Sequence, residues 1–294
     1  MPKFVFNGTR QSVRLSHNHP LVLDPSFLVI KHVPASFLIL LVSMATLSAA
    51  PLAIQPGEKF TYRLSWGPFR KAAELVIAAD QDPADPDGVT RITSHTATQG
   101  FIRALYRFDG WGQFFYEAES GRLQQAKAWT ETGSKKTNAS IDLDYAKMEA
   151  NYVDHVRPEK SVLLEIPPDE PADFLTTLIQ TRSWDIGVGE EEKVSVLFDD
   201  EFYELIIAVD RQETLSTKWG KKSALVLIPR MEGEPKGMFK RGGEIQVWVS
   251  NDDLRLPLRF QVKVAVGTAM AILTDHQEDA DAAELQARAV PPTS

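Results

Sequence analysis

From Glu58 onward, apolar residues recur at every second position. In KFTYRLSW, Phe60, Tyr62, Leu64 and Trp66 share one face, while Thr61, Arg63 and Ser65 take the other. That period belongs to a strand with one buried face, because successive side chains of an extended backbone point to opposite sides. It returns over Ala72–Ala79, Val89–Thr98, Arg107–Glu117 and Arg122–Thr132, then in a hairpin carrying Ile141, Leu143, Tyr145, Met148, Ala150 and Tyr152. It resumes over Glu192–Phe198, Phe202–Val209, Ser223–Pro229, Gly243–Ser250, Leu258–Val266 and Thr268–Asp275. Turn-forming residues separate these runs, among them Gly67-Pro68, DQDPADPDG and Ala118-Glu119-Ser120-Gly121. One segment follows a helical period. In PPDEPADFLTTLIQTRSW, Asp169 or Glu170 is the expected cap, Pro171 suits the first turn, and Phe174, Leu175, Leu178 and Ile179 form a stripe. QGFIRALY, Gln99 to Tyr106, fits one or two further helical turns. The expectation is an all-β fold with one main helix. About a dozen antiparallel strands form a meander curled into a barrel-like or half-barrel sheet, with a β-sandwich as second choice.

No Gly/Ser-rich linker interrupts the pattern, so residues 56–275 are expected to form one domain, followed by a flexible tail at 276–294 with a short helix at Asp281–Arg288. Residues 1–50 read as a signal region. Lys3, Arg10, Arg14 and Lys31 precede the apolar run ASFLILLVSMATLSAAPLA, Ala35 to Ala53, which decays into small residues, with cleavage expected after Ala49 or Ala50. The alternative is an uncleaved anchor, since no charged residue falls between Lys31 and Glu58. Residues 1–28 make the signal unusually long and suggest that translation starts near Leu28 or Val29. The expected location is the periplasm, with membrane contact only through the signal segment if it is retained.

The chain has no cysteine, so it has no disulfide, thiolate nucleophile or lipid-modified cysteine; a lipoprotein is not expected. Without residues 1–50 it carries 28 basic and 39 acidic residues, net −11. That balance argues against a nucleic-acid partner, whose affinity comes from neutralising phosphates. Beyond the signal region the histidines are His95, His155 and His276, scattered and without HExxH or HxH spacing, so no metal is expected. The Asp80–Gly88 loop lacks the register and the final Glu of a calcium loop. There is no GxSxG elbow, and Ser94 and His95, as neighbours on a strand, point to opposite faces. Gly220-Lys221-Lys222-Ser223 lacks the upstream glycine of a phosphate loop. No catalytic residue and no cofactor is assigned.

Four stretches carry a resemblance: PGEKFTYRLSWGPF, SHTATQGFIRALYRFDGWGQ, DFLTTLIQTRSW with the glycines after it, and GMFKRGGEIQVWVSNDDLRLPLRFQVKVAVGTAMAIL. Together they resemble the bacterial family known as domain of unknown function 3108, over roughly Pro56 to Asp275. The resemblance implies an exported envelope protein with a signal sequence. It implies no established reaction and no catalytic residues.

The leading functional expectation is a non-enzymatic module that binds an amphipathic or polymeric envelope component, such as a lipid or glycan, on an apolar face of a curved sheet. Candidates for that face are Trp66, Phe69, Trp111, Phe114 and Trp248, with Lys240 and Arg241 as a basic rim; core packing is the competing role of each aromatic. The alternative is a structural or assembly partner of an envelope protein, pairing through an edge strand or the acidic tail. A hydrolase without a recognisable motif is the third. Within Gly237–Phe260, Ile245, Val247 and Val249 share a strand face that Trp248 does not, and Ser250-Asn251-Asp252-Asp253 reads as turn chemistry rather than an acid–base pair.

Overall fold

The structure, a computed structural model, describes residues 52–198, 200–231, 239, 244–264 and 267–281. The signal region, Lys240, Arg241, Gly242-Gly243 and residues 282–294 lie outside them. Fifteen strands and two α-helices are formed among the described residues. The first half holds β1 (Lys59–Trp66), β2 (Phe69–Asp82), β3 (Asp85–Thr98), α1 (Gly100–Leu105), β4 (Phe108–Glu117), β5 (Leu123–Thr132), β6 (Lys135–Asp144), β7 (Glu149–Asp154) and β8 (Val162–Glu165). The second holds β9 (Ala172–Asp173), α2 (Phe174–Gln180), β10 (Glu191–Phe198), β11 (Glu201–Thr217), β12 (Gly220–Met231), β13 (Glu244–Ser250), β14 (Pro257–Val264) and β15 (Gly267–Gln277).

All fifteen strands belong to one sheet. Its order runs from β8 down to β1, crosses to β15, and runs down to β9. Each strand from β1 to β8 is antiparallel to its sequence neighbour, and so is each from β10 to β15. β1 and β15 pair antiparallel in the middle. The two-residue β9 is parallel to β10. The meander is therefore a circuit left open at one seam, between the sequence-adjacent strands β8 and β9. This is the expected half-barrel.

The alternation is realised as burial. Phe60 and Tyr62 on β1 and Ile77 and Ile92 on β2 and β3 are fully buried, and one apolar cluster joins them to Leu178 and Ile179 of α2 and to Leu227, Val247 and Leu258. Each such side chain contributes about 1.5–3 kcal/mol relative to exposure. The Tyr62 hydroxyl donates to the Pro257 carbonyl at 3.0 Å, so a buried phenol is not left unpaired. β5 and β6 are joined by Gly133-Ser134 alone, with Thr132 opposite Lys135. Gly133 sits at φ 59°, where a two-residue hairpin turn needs a residue free of a Cβ clash. Pro257 opens β14, and Pro229 lies beyond the Ala224–Leu227 stretch of β12 that β13 covers.

The main helix differs from the expected one. It begins at Phe174, and its cap is Asp173 rather than Asp169 or Glu170. Asp173 Oδ1 accepts the amides of Leu175 and Thr176 at 2.9 and 3.0 Å. Pro171 does not fall in the first turn, because Ala172 and Asp173 extend along β10 before the helix starts. After Gln180 the chain tightens into a 3-10 turn at Thr181–Ser183.

Candidate functional site

The curled sheet brings β4–β7 opposite β9, α2 and β10 across the seam. Between them lies a cleft of about 320 Å3. Its walls are apolar: Phe114, Ala126, Ala139 and Ile141 from one side, Phe174 and Leu197 from the other. The register explains the empty space. Cross-strand neighbours Gly112, Ala128 and Ala139 form a row of small residues on β4, β5 and β6. A Cβ on Gly112 would stand 2.7 Å from Ser94 Oγ and 2.9 Å from Phe114 Cε2. The glycine thus lets the Phe114 ring lie down against the sheet at the cleft wall. Lys127, Ser140 and Asp173 are polar residues at the cleft.

Asp173 positions the helix side of the cleft. Its backbone amide donates to Tyr116 Oη at 3.0 Å, and Tyr116 Oη donates to Asp173 Oδ2 at 2.8 Å. Thr177 Oγ1 donates to the Asp173 carbonyl at 2.8 Å. Burial pushes the Asp173 carboxyl above its ordinary value, partly opposed by the hydrogen bonds it accepts from Thr176, Tyr116 and Leu175. Burial likewise pushes the Tyr116 hydroxyl well above 10. This pair clamps β4 to the start of α2.

A second polar cluster sits away from the cleft. Arg182 NH1 donates to Glu58 Oε1 and Oε2 at 2.8 and 3.0 Å and to the Ala53 carbonyl at 2.8 Å. His276 Nε2 lies 2.7 Å from Glu58 Oε1, and the His276 ring stacks on Phe60 at 4.9 Å. Burial, the largest influence, pushes the Glu58 carboxyl up, but His276 and Arg182 outweigh it and hold the carboxyl below 4.5. The cluster joins the β1 entry, the end of the helical segment and β15, and its carboxylate is fully engaged.

Two serine–histidine neighbourhoods bear on hydrolysis. Ser250 and His276 line a smaller hollow of about 180 Å3. There Ser250 Oγ donates to Asp252 Oδ1 at 2.7 Å and accepts the Leu256 amide at 2.8 Å, so its proton is directed to a turn carboxylate and not to imidazole. Asp252 in turn takes Lys222 Nζ at 2.8 Å, which makes Ser250–Asp253 a pinned turn. Ser140 Oγ lies 3.0 Å from His155 Nε2, on exposed surface of β6 and the segment after β7. Nucleophilic catalysis needs the base itself oriented by a third group. No group of three or more His, Asp or Glu placed to hold a metal occurs among the described residues.

The candidate aromatics do not converge. Phe114 alone of the five lines the cleft. Trp66 and Phe69 are exposed at the β1–β2 turn. Trp111 is buried and stacks on His95 with ring centroids 5.2 Å apart. Trp248 is buried: its Nε1 donates to Glu213 Oε1 at 2.7 Å, and the Arg259 guanidinium lies 5.2 Å over its ring. Lys240 and Arg241 lie outside the described residues. Sequence reasoning missed Ala126, Ala128 and Ala139, which define the cleft by being small, and Asp173, which orients its helix wall.

The chain belongs to the family described as Protein of unknown function (DUF3108), which matches residues 61–274. No curated protein matches it. Among solved structures it is similar to the β-barrel-like protein of domain of unknown function DUF1849 from Brucella abortus, at 9% identity and TM-score 0.49, covering 76% of this chain and 98% of that one. It is also similar to the hypothetical protein CT021 from Chlamydia trachomatis, at 12% identity and TM-score 0.31, with 83% and 95% covered. A protein of YmcC-like fold from Bacteroides fragilis matches at 12% identity and TM-score 0.28, with 78% and 99% covered. No helix among the described residues is long and apolar enough to cross a membrane.

Proposed function

We propose that this protein is an exported, non-enzymatic module of the bacterial envelope that binds the apolar part of an amphipathic component in the seam cleft. The observation that carries this reading is the cleft itself. It is apolar, it opens where the sheet fails to close, and its volume falls at the lower end of the range of small-ligand sites. The row Gly112, Ala128 and Ala139 leaves room that larger residues would fill. A polar head would stay in solvent at the open side of the cleft, because the Lys127 ammonium lies over the Phe115 ring on the opposite face of the sheet. Export is supported by the layout of Lys31 and the apolar run Ala35–Ala53.

The test is uptake of cis-parinaric acid, a polyene fatty acid whose fluorescence rises in an apolar site. Wild-type protein stripped of co-purified lipid should take it up, and Ala139→Trp, which fills the cleft, should not. Absence of uptake by the wild type, or equal uptake by Ala139→Trp, overturns the reading.

One observation favours the assembly alternative. The edge strand β8 exposes Val162 and Leu163, and an unpaired edge is a template for another chain's strand. Cross-linking in the native envelope that captures a partner through β8, lost in Leu163→Lys, would support it.

A further inference from the structure

A separate feature lies at the end of the sheet that carries the β1–β2 turn and α1. α1 has six residues and buries none of them. Phe101, Leu105 and Tyr106 are 66%, 68% and 54% exposed, and Trp66 and Phe69 of the turn are 47% and 41% exposed. The Phe69 and Phe101 rings stack with centroids 6.3 Å apart, so turn and helix form one patch. The Gln99 amide donates to the Ala72 carbonyl at 2.9 Å, which fixes the start of α1 against β2. Exposed apolar surface gathered in this way marks a site that something covers.

The charge around the patch identifies what covers it. Arg70, Lys71 and Arg107 are exposed beside it. The Gly133 amide donates to the Arg107 carbonyl at 3.3 Å, which brings the β5–β6 turn, with exposed Lys135 and Lys136, to the same end. No Asp or Glu occurs from Ser65 to Ala73 or from Gly100 to Phe108. Glu74 follows directly on β2, and Asp109 and Glu131 are engaged, Asp109 with Arg103 at 2.9 Å and Arg107 at 3.5 Å and Glu131 with Lys136 at 2.8 Å. That leaves six basic residues, Arg70, Lys71, Arg103, Arg107, Lys135 and Lys136, against these three acidic ones. Positive charge is thus concentrated around an apolar patch on a chain of net charge −8. The complement of that surface is an apolar interior faced with negative charge, which is an anionic lipid leaflet.

We propose that this end of the sheet docks on an anionic membrane surface, with Trp66, Phe69, Phe101 and Leu105 entering the interfacial layer and Arg70 and Lys71 meeting lipid phosphates. The contact is distinct from any made by the N-terminal apolar segment and does not depend on the cleft. Trp and Tyr favour that depth because they have an apolar body and a polar edge.

The test is flotation of the full chain with vesicles of phosphatidylcholine alone or doped with phosphatidylglycerol. The Ala35–Ala53 segment can itself insert, so variants are compared within the full chain. Phe101→Ser/Leu105→Ser should weaken partitioning onto the doped vesicles by about tenfold, since each lost side chain removes several buried carbons. Arg70→Glu/Lys71→Glu should weaken it by a similar factor and flatten its salt dependence. Neither variant should move the thermal midpoint. Equal partitioning of wild type and Phe101→Ser/Leu105→Ser would assign binding to the N-terminal segment and overturn the proposal. Equal partitioning onto both vesicle types would overturn the role of charge. Loss of a dimer in vesicle-free sedimentation of Phe101→Ser/Leu105→Ser would assign the patch to a second copy of the chain and equally overturn it.

Discussion

Tyr116→Phe removes one oxygen from the clamp between β4 and α2 and leaves the buried ring in place. That oxygen donates to Asp173 Oδ2 at 2.8 Å and accepts the Asp173 amide at 3.0 Å. A bond to a carboxylate contributes about 1.5–3 kcal/mol and one from a backbone amide about 1 kcal/mol, so the upper limit of the loss is near 4 kcal/mol. Two effects reduce it. Phe no longer desolvates a hydroxyl, and the neighbouring hollow of about 190 Å3, which Tyr116 lines, has room for a water that re-satisfies the amide. The expected net loss is about 2 kcal/mol. In a domain of this size that lowers the melting temperature by roughly 4–8 °C. The assay is urea unfolding followed by tryptophan fluorescence. The midpoint should fall while the slope stays unchanged, because the surface exposed on unfolding is the same. Asp173→Ala removes the carboxylate bond and the helix cap but keeps the backbone amide. The carboxylate bond is thus counted in both singles, and the double variant should be less destabilised than their sum by about 1 kcal/mol or more. A loss under about 0.5 kcal/mol for Tyr116→Phe, or strict additivity with Asp173→Ala, would refute the clamp.

Glu58→Gln should destabilise the protein by about 3 kcal/mol at pH 7, because Arg182 loses a buried anionic partner. The carboxyl is held below 4.5 in the folded state, so its contribution is present above that value and disappears as pH falls through the lower folded value. The gap between wild type and Glu58→Gln in urea midpoint should therefore narrow from pH 7 to pH 3; a constant gap would contradict the pairing. Gly112→Ala should cost about 1–3 kcal/mol and change parinaric acid uptake, since its Cβ would collide with Ser94 and the Phe114 ring. Unaltered stability and uptake would show that the ring is not held there. A fluorophosphonate probe should leave Ser140 unlabelled despite His155 at 3.0 Å; labelling at Ser140, lost in His155→Ala, would replace the non-enzymatic reading with a hydrolase.

The hairpins were legible because each needs only local information. Alternation over KFTYRLSW marks a half-buried strand wherever it lies in a fold, and Gly133 and Gly67-Pro68 mark turns by backbone chemistry alone. β8 and β9 were not legible. The VLLE of β8 is mostly exposed and has no alternation, and β9 is two residues paired to a strand beyond the helix. The helix cap moved to Asp173 for a similar reason: its partner Tyr116 lies 57 residues away, and no local rule contains that contact. Trp248 stood out in the sequence as an aromatic on the wrong face. It is buried there because Arg259 on the adjacent β14 and Glu213 on β11, two strands away, cover it. The cleft escaped prediction because aromatics draw attention and its space is made by alanines and a glycine, whose meaning depends on what stands across the seam.

The pairing of β1 with β15 places side by side the strands that come first and last along the chain among the described residues, with Glu58 meeting His276 across 218 residues. Each half of the chain is a run of short-range hairpins, but neither half has a finished inner edge until the final strand arrives. Closing that junction is the step of highest contact order and should limit the folding rate. A circular permutant that joins the old ends by a linker and opens the chain between Glu165 and Ala172 would turn the whole sheet into one uninterrupted run of neighbours. It should fold faster than the parent. The parent, by construction, stays incomplete until its last strand has been delivered.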